Sequence, residues 1–313
     1  MKQKIIIDTD PGQDDALAIM LALASHDDFE VLGVIAVAGN VPLSCTLSNA
    51  RKILELAGKR NIPVFAGSEC PLKRTLETAE HIHGITGLDG ADLPNPTMLV
   101  QEKSGVQFII DAVRAHAQDE ITLVTLGPAT DVAKALDAAP DIAKRLKQVV
   151  MMMGAWSEVG NITPTAEFNA YVDPDAADIV LRSEARIVMV PLDVTHQVRS
   201  TPARLDRLEG LNNRCGPAAA GLLKFSQVYD LDKFGWDGAP LHDPCTIAYL
   251  LKPDIFEGKQ VNVSVETQSP LTKGQTVVDW WHVTDKKRNV LFLRKVDAEA
   301  FYQLLTQRLA TLP

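Results

Sequence analysis

Short apolar segments alternate along the chain with segments whose apolar residues recur at helical spacing. The apolar segments that indicate buried strands are residues 5–7, 30–38, 63–67, 121–126, 148–153 and 187–191. The segments with helical spacing are residues 16–24, 41–58, 104–117 and 129–139, followed by a helix that begins at Pro174. This alternation predicts an α/β, Rossmann-like fold with a mainly parallel central sheet and helices on both faces.

Three regions depart from the alternation. Residues 77–96 predict a long loop of the kind that often binds ligands, and His83 within it is either a binding residue or an ordinary surface histidine. Residues 200–236 predict a helical cap over the sheet. A small antiparallel extension is predicted at residues 260–267, 276–284 and 290–294, before a closing helix at residues 297–309. Because we find no repeat or linker, we expect one domain over residues 1–313.

Composition narrows the class of protein. The formal net charge of -9 and the absence of any cluster of Lys and Arg argue against nucleic-acid binding and favour small-molecule chemistry. Four scattered cysteines without CxxC spacing suit reduced thiols better than disulfides. The first apolar run ends at Asp8, too short for a signal peptide, and no apolar run suits a membrane helix, so we expect a cytoplasmic protein.

The most informative segment is residues 8–15 (DTDPGQDD), a turn between the first strand and the first helix. Two like charges about 5 Å apart repel by roughly 3 kcal/mol at an effective dielectric near 20, so four carboxylates here call for a cation. With no Cys or His among them, Ca²⁺ or Mg²⁺ is favoured over zinc. Alternatively, Asp14 or Asp15 only caps the helix. A cap uses one side chain, however, and gives no structural role to the other three aspartates.

Further polar residues end strands or open helices, and in a parallel sheet such positions share one edge. They are Asn40, Glu167, Asn169, His242 and Asp243. We expect Glu167 and Asn169 to share a face if their segment is extended. Asn and Glu side chains suit neutral hydroxyl groups, which indicates a sugar site. A nearby histidine able to protonate a leaving group would complete an acid and base pair across a glycosidic bond.

The DTDPGQDD segment resembles the DxDPGxDD signature of the calcium-dependent nucleoside hydrolases, the inosine-uridine-preferring N-ribohydrolases. The resemblance extends in family order over essentially the whole chain, through Gly39-Asn40, residues 83–90 (HGITGLDG), Leu126-Gly127-Pro128, Met153-Gly154, Gly160-Asn161, residues 166–169 (AEFN), Asp173-Pro174 and His242-Asp243-Pro244. It implies hydrolysis of the N-glycosidic bond of ribonucleosides to ribose and free base.

The resemblance also implies a role for each site residue. Ca²⁺ would be bound by the carboxylates of Asp10, Asp15 and Asp243 and the backbone carbonyl of Leu126. Asp10 would be the base that deprotonates the attacking water, and His242 the acid that protonates the departing base. The contacts to the ribose would come from Asp14, Asn40, Met153, Asn161, Glu167 and Asn169.

The base pocket implied by the resemblance contains His83 and parts of the 226–236 segment, including Gln227. These two regions favour a pyrimidine preference, as in pyrimidine salvage, and the family implies a homo-oligomer, a dimer or a tetramer. The chain departs from the family pattern in two places: Ala155 follows Met153-Gly154 where Gly is usual, and Leu126 replaces a frequent Thr.

Two other functions remain open from the sequence. A phosphatase of the haloacid dehalogenase type also begins with Asp-x-Asp after a first strand, but it requires Thr or Val where this chain has Gly12. A non-catalytic calcium-binding or nucleoside-binding protein would retain the fold. Against that alternative, both proposed proton-transfer residues, Asp10 and His242, are present.

Overall fold

A ten-stranded sheet runs through the part of the chain that the computed structural model describes, residues 2–313 except for the side chains of residues 230 and 232–234. The strands are β1 (Gln3–Thr9), β2 (Phe29–Ala36), β3 (Val64–Ala66), β4 (Val100–Ser104), β5 (Ile121–Thr125), β6 (Gln148–Met152), β7 (Ile187–Val190), β8 (Arg199–Ser200), β9 (Ala239–Pro240), β10 (Phe256–Val265), β11 (Thr276–Asp279) and β12 (Val290–Val296). Their order in the sheet is β11-β10-β12-β7-β6-β5-β1-β2-β3-β4, and β8 pairs separately with β9.

The sheet is parallel from β4 through β12, which confirms the mainly parallel arrangement. β10 is antiparallel to both of its neighbours, β12 and β11. The predicted antiparallel extension is therefore present, and it continues the main sheet because β12 pairs in parallel with β7.

Helices cover both faces of the sheet. They are α1 (Gln13–Ala24), α2 (Leu43–Leu56), α3 (Glu80–His83), α4 (Gly105–Ala115), α5 (Thr130–Ala138), α6 (Phe168–Val172), α7 (Pro174–Arg182), α8 (Leu192–Thr195), α9 (Pro202–Glu209), α10 (Cys215–Phe234), α11 (Pro244–Leu251) and α12 (Ala298–Leu309). Side chains of β1 alternate between two cores: Ile5 and Ile7 pack with α1, α10 and α12, whereas Ile6 packs with α4, α5 and α7. No helix of the described residues is both long and apolar enough to cross a membrane.

The central strand β1 has β2 on one side and β5 on the other. Strands β2, β3 and β4 follow one another outward on one side of β1. Strand β5 then lies on the other side of β1, and β6 and β7 continue outward from it. The loops that leave the carboxyl ends of β1 and β5 therefore diverge and leave a crevice between them. This reversal places the DTDPGQDD turn where ligands bind in such sheets.

Four local predictions differ from the structure. The polar edge strand β4 was not expected, and the loop over residues 77–96 includes the single turn α3. The strand predicted over residues 276–284 ends at Asp279, because the Asp279 carboxylate accepts hydrogen bonds from the backbone N–H groups of Val283 and Thr284. The segment of Glu167 is not extended there, because the Glu167 side chain caps α6.

Candidate active site

The turn between β1 and α1 is closed by Asp15. The Thr9 hydroxyl donates to Asp15 Oδ1 (2.5 Å), and the Gly12 backbone N–H donates to Asp15 Oδ2 (3.0 Å). Asp15 is the third residue of α1, so its carboxylate satisfies an N–H at the start of the helix. Asp15 thus caps the helix, and its carboxylate also belongs to the acidic cluster at this edge of the sheet, so the capping role does not remove it from the chemistry of the site.

Three carboxylates meet at the edge of the sheet. Asp14, Asp15 and Asp243 each place an oxygen within 4.8 Å of the others, because the start of α1 lies against the start of α11. Burial raises the pKa of all three, and the charges of neighbouring carboxylates raise the pKa values of Asp15 and Asp243 further. A cation at this position would favour the charged forms of all three carboxylates.

Asp10 approaches the same cluster from the end of β1. Its Oδ2 accepts a hydrogen bond from the Asn40 backbone N–H (2.8 Å), while burial and the charge of Asp15 raise its pKa well above the usual range. A Cβ on Gly39 would lie 2.0 Å from Asp10 Oδ2, and one on Gly127 would lie 2.5 Å from Oδ1. The lack of a side chain at Gly39 and Gly127 therefore leaves the space that the Asp10 carboxylate occupies.

The donor atoms at this edge suit a hard divalent cation. The three-carboxylate cluster contains only oxygen donors, and Leu126 lines the adjacent cavity. The Leu126 carbonyl accepts from Asn169 Nδ2 (2.6 Å) and keeps a second lone pair for another partner. Carboxylates with raised pKa values and no sulfur or imidazole donor among them favour Ca²⁺ or Mg²⁺ over zinc.

Asn169 has a fixed amide orientation. Its Nδ2 donates to the carbonyls of Leu126 (2.6 Å) and Met152 (3.0 Å), so Oδ1 is the atom left to accept from a ligand. Asn40 is anchored in the same way, because its Nδ2 donates to the Asp10 carbonyl (3.1 Å) and to Asp15 Oδ2 (3.2 Å). Both amides are suited to receive hydroxyl hydrogens.

Glu167 is buried beside these amides. It accepts hydrogen bonds from the backbone N–H groups of Gly154 (2.9 Å), Asn169 (2.8 Å) and Ala170 (3.1 Å). These bonds favour the carboxylate, but burial outweighs them and raises the pKa of Glu167 to about 7. Asn161 Oδ1 accepts from the Phe168 backbone N–H (2.9 Å), which holds Asn161 at the start of α6, the helix that Glu167 caps.

Three histidines also line the cavity: His83, His196 and His242. His242 Nδ1 lies 2.7 Å from the Thr195 hydroxyl, and burial, with the charges of His196 and His83, lowers the pKa of His242 to about 3. His196 Nδ1 lies 2.9 Å from Glu158 Oε2. Burial likewise lowers the pKa of His83 to about 4. The imidazoles of His83 and His242 are therefore neutral at pH 7.

Most of the site residues expected from the sequence line one cavity. The lining consists of Asp10, Asp14, Asn40, Ala79, Ile82, His83, Leu126, Met152, Asn161, Ile162, Glu167, Phe168, Asn169, His196, Leu223, Ser226, Tyr229, Pro240, His242 and Asp243. Asp15 lies beside this lining, next to Asp14 and Asp243. The cavity is thus lined by carboxylates, which we call its acidic end, by neutral amides, and by histidine and apolar side chains, which we call its histidine end.

Besides Asp15, two expected residues, Met153 and Gln227, are not among those that line the cavity. Met152 takes the cavity position, and Met153 is buried in the core between the sheet and α5. Part of the predicted 226–236 segment, the side chains of residues 230 and 232–234, lies outside the described residues.

The structure brings Ser226 and Tyr229 of the expected 226–236 segment to the cavity, and it adds Leu223 and His196, which the sequence analysis missed. Leu223, Ser226 and Tyr229 recur every three residues along α10 and therefore share one face of that helix. Such spacing in a predicted cap is a signal that could have identified them and excluded Gln227. Thr195 and His196 carry no comparable signal, because only the tertiary fold brings them to His242.

Comparisons with known proteins show the family of this chain. Residues 5–303 match the family described as inosine-uridine preferring nucleoside hydrolase. The chain is 54% identical over 310 residues to an uncharacterised protein of Schizosaccharomyces pombe, covering 99% of this chain and 100% of that protein. It is 45% identical over 311 residues to the pyrimidine-specific ribonucleoside hydrolase RihA of Klebsiella pneumoniae, covering 99% of each.

A solved structure shares the fold. The purine-preferring ribonucleoside hydrolase from Gardnerella vaginalis superimposes with a TM-score of 0.92 at 31% identity, covering 98% of each chain. Fold and relatives together define this chain as a ribonucleoside hydrolase, an enzyme that acts on N-glycosyl bonds. More specifically, the chain belongs to the inosine-uridine preferring nucleoside hydrolase family, and the phosphatase alternative is excluded.

Proposed function

We propose that this chain hydrolyses pyrimidine ribonucleosides in preference to purine ribonucleosides, with Ca²⁺ as its cofactor. The observation that carries the proposal is the meeting of Asp14, Asp15 and Asp243 beside Asp10, in a cavity that also contains neutral amides and histidines. The relationship to a pyrimidine-specific hydrolase at 45% identity supports the pyrimidine preference over the 31% identity to a purine-preferring one.

Asp10, Asp15 and Asp243 would hold the Ca²⁺ with the carbonyl of Leu126. When bound, the cation neutralises the carboxylates and lowers the pKa of the attacking water. Asp10 accepts the proton of that water, and the Asn40 backbone N–H at 2.8 Å keeps its carboxylate in one orientation.

The ribose binds to the amides and carboxyls along the cavity. Asn40 and Asn169 accept from ribose hydroxyls together with Asp14, since their amide nitrogens are already engaged. Glu167 and Asn161 lie on the side proposed for the 5′ hydroxyl. Fixed partners of this kind hold the sugar against the acidic end while positive charge develops on it, which the carboxylates stabilise.

His242 assists the departure of the base. The Thr195 hydroxyl engages Nδ1, so Nε2 is the nitrogen that can hydrogen-bond to the leaving group. A pKa near 3 keeps the ring neutral at pH 7, and a neutral imidazole N–H can stabilise negative charge that develops on a substrate. His83 and the apolar face of α10 surround the base.

The deciding experiment is an assay of purine and pyrimidine ribonucleosides with and without EDTA, following free base and ribose. We expect uridine and cytidine to be hydrolysed faster than inosine, and EDTA to abolish turnover until Ca²⁺ is restored. Turnover that is unchanged in EDTA would contradict the cation proposal, and faster purine hydrolysis would contradict the pyrimidine preference. Binding of ribonucleosides without turnover would instead indicate a non-catalytic binding protein.

We further propose a single-domain protein over residues 1–313 that acts in the cytoplasm as a homodimer or homotetramer. The continuous sheet supports the single domain, because β10, β11 and β12 extend it instead of forming a separate unit. Light scattering of the purified chain would give the oligomeric state.

A further inference from the structure

Gln13 occupies the second of the two unspecified positions of the DxDPGxDD signature, and the residue is 1% exposed. Its amide nitrogen donates two hydrogen bonds, to the backbone carbonyls of His83 (2.9 Å) and Asp89 (3.1 Å). This one side chain therefore connects the acidic turn with the 77–96 loop, which contributes His83 to the cavity.

The two carbonyls decide which way the Gln13 amide points. A carbonyl oxygen only accepts, so the atom facing both of them must be the nitrogen. The remaining atom, Oε1, lies 2.6 Å from His83 Nδ1. Since an amide oxygen also only accepts, the hydrogen between them belongs to Nδ1. In the neutral ring, Nε2 then carries a lone pair and no hydrogen.

The His83 ring is also restricted in position. A Cβ on Gly12 would lie 2.5 Å from His83 Nδ1 and 3.0 Å from Asn40 Nδ2. Glycine at position 12 thus admits the ring, with Asn40 beside it, and leaves little space for the ring to turn. With Nδ1 occupied by Gln13, Nε2 is the nitrogen that His83 has left for a ligand in the cavity it lines.

We propose that Gln13 is a positioning residue that fixes His83 in the Nδ1–H tautomer, so that Nε2 accepts a hydrogen bond from an N–H or O–H group of the bound ribonucleoside. The substrate part of this inference rests on the proposed function. It separates the two histidines of the cavity: His83 recognises a donor on the substrate and has no hydrogen at Nε2 to give, which leaves proton donation to His242.

The tautomer can be measured directly by ¹⁵N NMR of the histidine ring nitrogens at pH 7. In the wild type we expect His83 Nδ1 to be protonated and Nε2 to be unprotonated. Gln13→Met introduces a side chain of similar length without an acceptor. In this variant a large fraction of His83 should adopt the tautomer that is protonated at Nε2. Gln13→Glu keeps the acceptor and loses both donors to the carbonyls, so Nδ1 should stay protonated.

Kinetics test the consequence for the substrate. We expect Gln13→Met to lower kcat/KM for uridine about tenfold, as for the loss of one oriented hydrogen bond. Gln107→Met is the matched control, because Gln107 lies on the exposed face of α4 and its side-chain amide donates to the exposed Asp111, away from the cavity. Its kcat/KM and its histidine signals should equal those of the wild type.

Several outcomes would overturn the inference: a wild-type His83 that carries its hydrogen on Nε2, a Gln13→Met variant with unchanged nitrogen signals, or one with unchanged kcat/KM. If the Met and Glu replacements had equal effects on the tautomer, the acceptor at position 13 would not determine it, and Gln13 would only hold two loops together. A wild type without hydrolase activity would contradict the proposed function, while the nitrogen signals would still decide the tautomer.

Discussion

The two ends of the cavity respond differently to the same burial. At the acidic end, loss of water raises the pKa values of Asp10 and Asp243, and at the other end it lowers those of His83 and His242 to about 4 and about 3. Burial favours the neutral form in both cases. For an imidazole the neutral form is already the usual one at pH 7, whereas for a carboxylate it is not.

This contrast explains why only one end requires a cation. His83 and His242 are each satisfied by a neutral partner, Gln13 for His83 and Thr195 for His242. The carboxylates instead have each other as nearest charged neighbours, and hydrogen bonds from N–H groups do not remove that repulsion. The buried carboxylates therefore require a cation to be stable in their charged form, whereas the neutral His83 and His242 require none. The predictions below test this difference.

The largest effect is expected at the acidic end. Asp10→Asn keeps the shape of the side chain and removes its capacity to accept a proton, so kcat for uridine should fall at least about a thousandfold. Asp254→Asn, at an exposed position, is the matched control and should retain wild-type kcat. Substantial turnover by Asp10→Asn would show that another group takes the proton of the water.

Glu167 is a buried carboxylate outside the acidic cluster and tests the effect of burial alone. Its pKa is raised from 4.5 to about 7, so its contribution to stability is fully present below pH 4.5 and is lost as the pH rises through about 7. Relative to Glu167→Gln, which does not titrate, the wild type should lose about 3 kcal/mol of unfolding free energy over this range.

Urea unfolding at pH 4.5 and pH 8, with Ca²⁺ in excess, would measure this difference for Glu167. Glu69→Gln is the control, because Glu69 is exposed. If wild type and Glu167→Gln changed in parallel with pH, burial would not be the force that acts on this carboxyl.

Removal of one carboxylate should weaken the response to the cation. A Ca²⁺ concentration of 100 times its Kd stabilises a protein that binds it only when folded by about 2.7 kcal/mol, so the Tm of the wild type should rise by several degrees. Asp243→Asn should lose most of that rise, and without Ca²⁺ it should be no less stable than the wild type, because repulsion with Asp14 and Asp15 is relieved. Equal Ca²⁺ responses in differential scanning calorimetry would exclude Asp243 as a ligand.

The smallest effect is expected at the histidine end. Thr195→Val leaves His242 Nδ1 without its hydroxyl partner and should lower kcat/KM for uridine about tenfold, with less effect on a riboside whose leaving group needs no assistance. Thr195→Ser keeps the hydroxyl and should restore activity. A uniform loss with both substrates would indicate a packing defect.

Much of the fold could be predicted from the sequence, because buried parallel strands leave continuous apolar segments. β4 was missed for the same physical reason: it is the edge strand, mostly exposed, and its residues VQEKS carry no apolar signal. The two-residue strands β8 and β9 are too short for any periodicity to develop.

Expected site residues line the cavity where a residue type coincides with a strand end or a helix start, as at Asp10, Asn40 and Asp243. Prediction failed where the choice lay between neighbours, because one residue along a strand reverses the face: Met152 lines the cavity and Met153 does not. The partners Thr195 and Gln13 could not be predicted, because their roles depend on distances between segments far apart in the chain.

The small space around Asp10 has a consequence for mutational tolerance. Gly39 and Gly127 carry no charge and no functional group, yet one added methyl at either position would overlap the carboxylate that the proposed mechanism uses as its base. A deep mutational scan should therefore score both glycines as intolerant as Asp10 itself, even to alanine. Their intolerance would come from occupied volume alone.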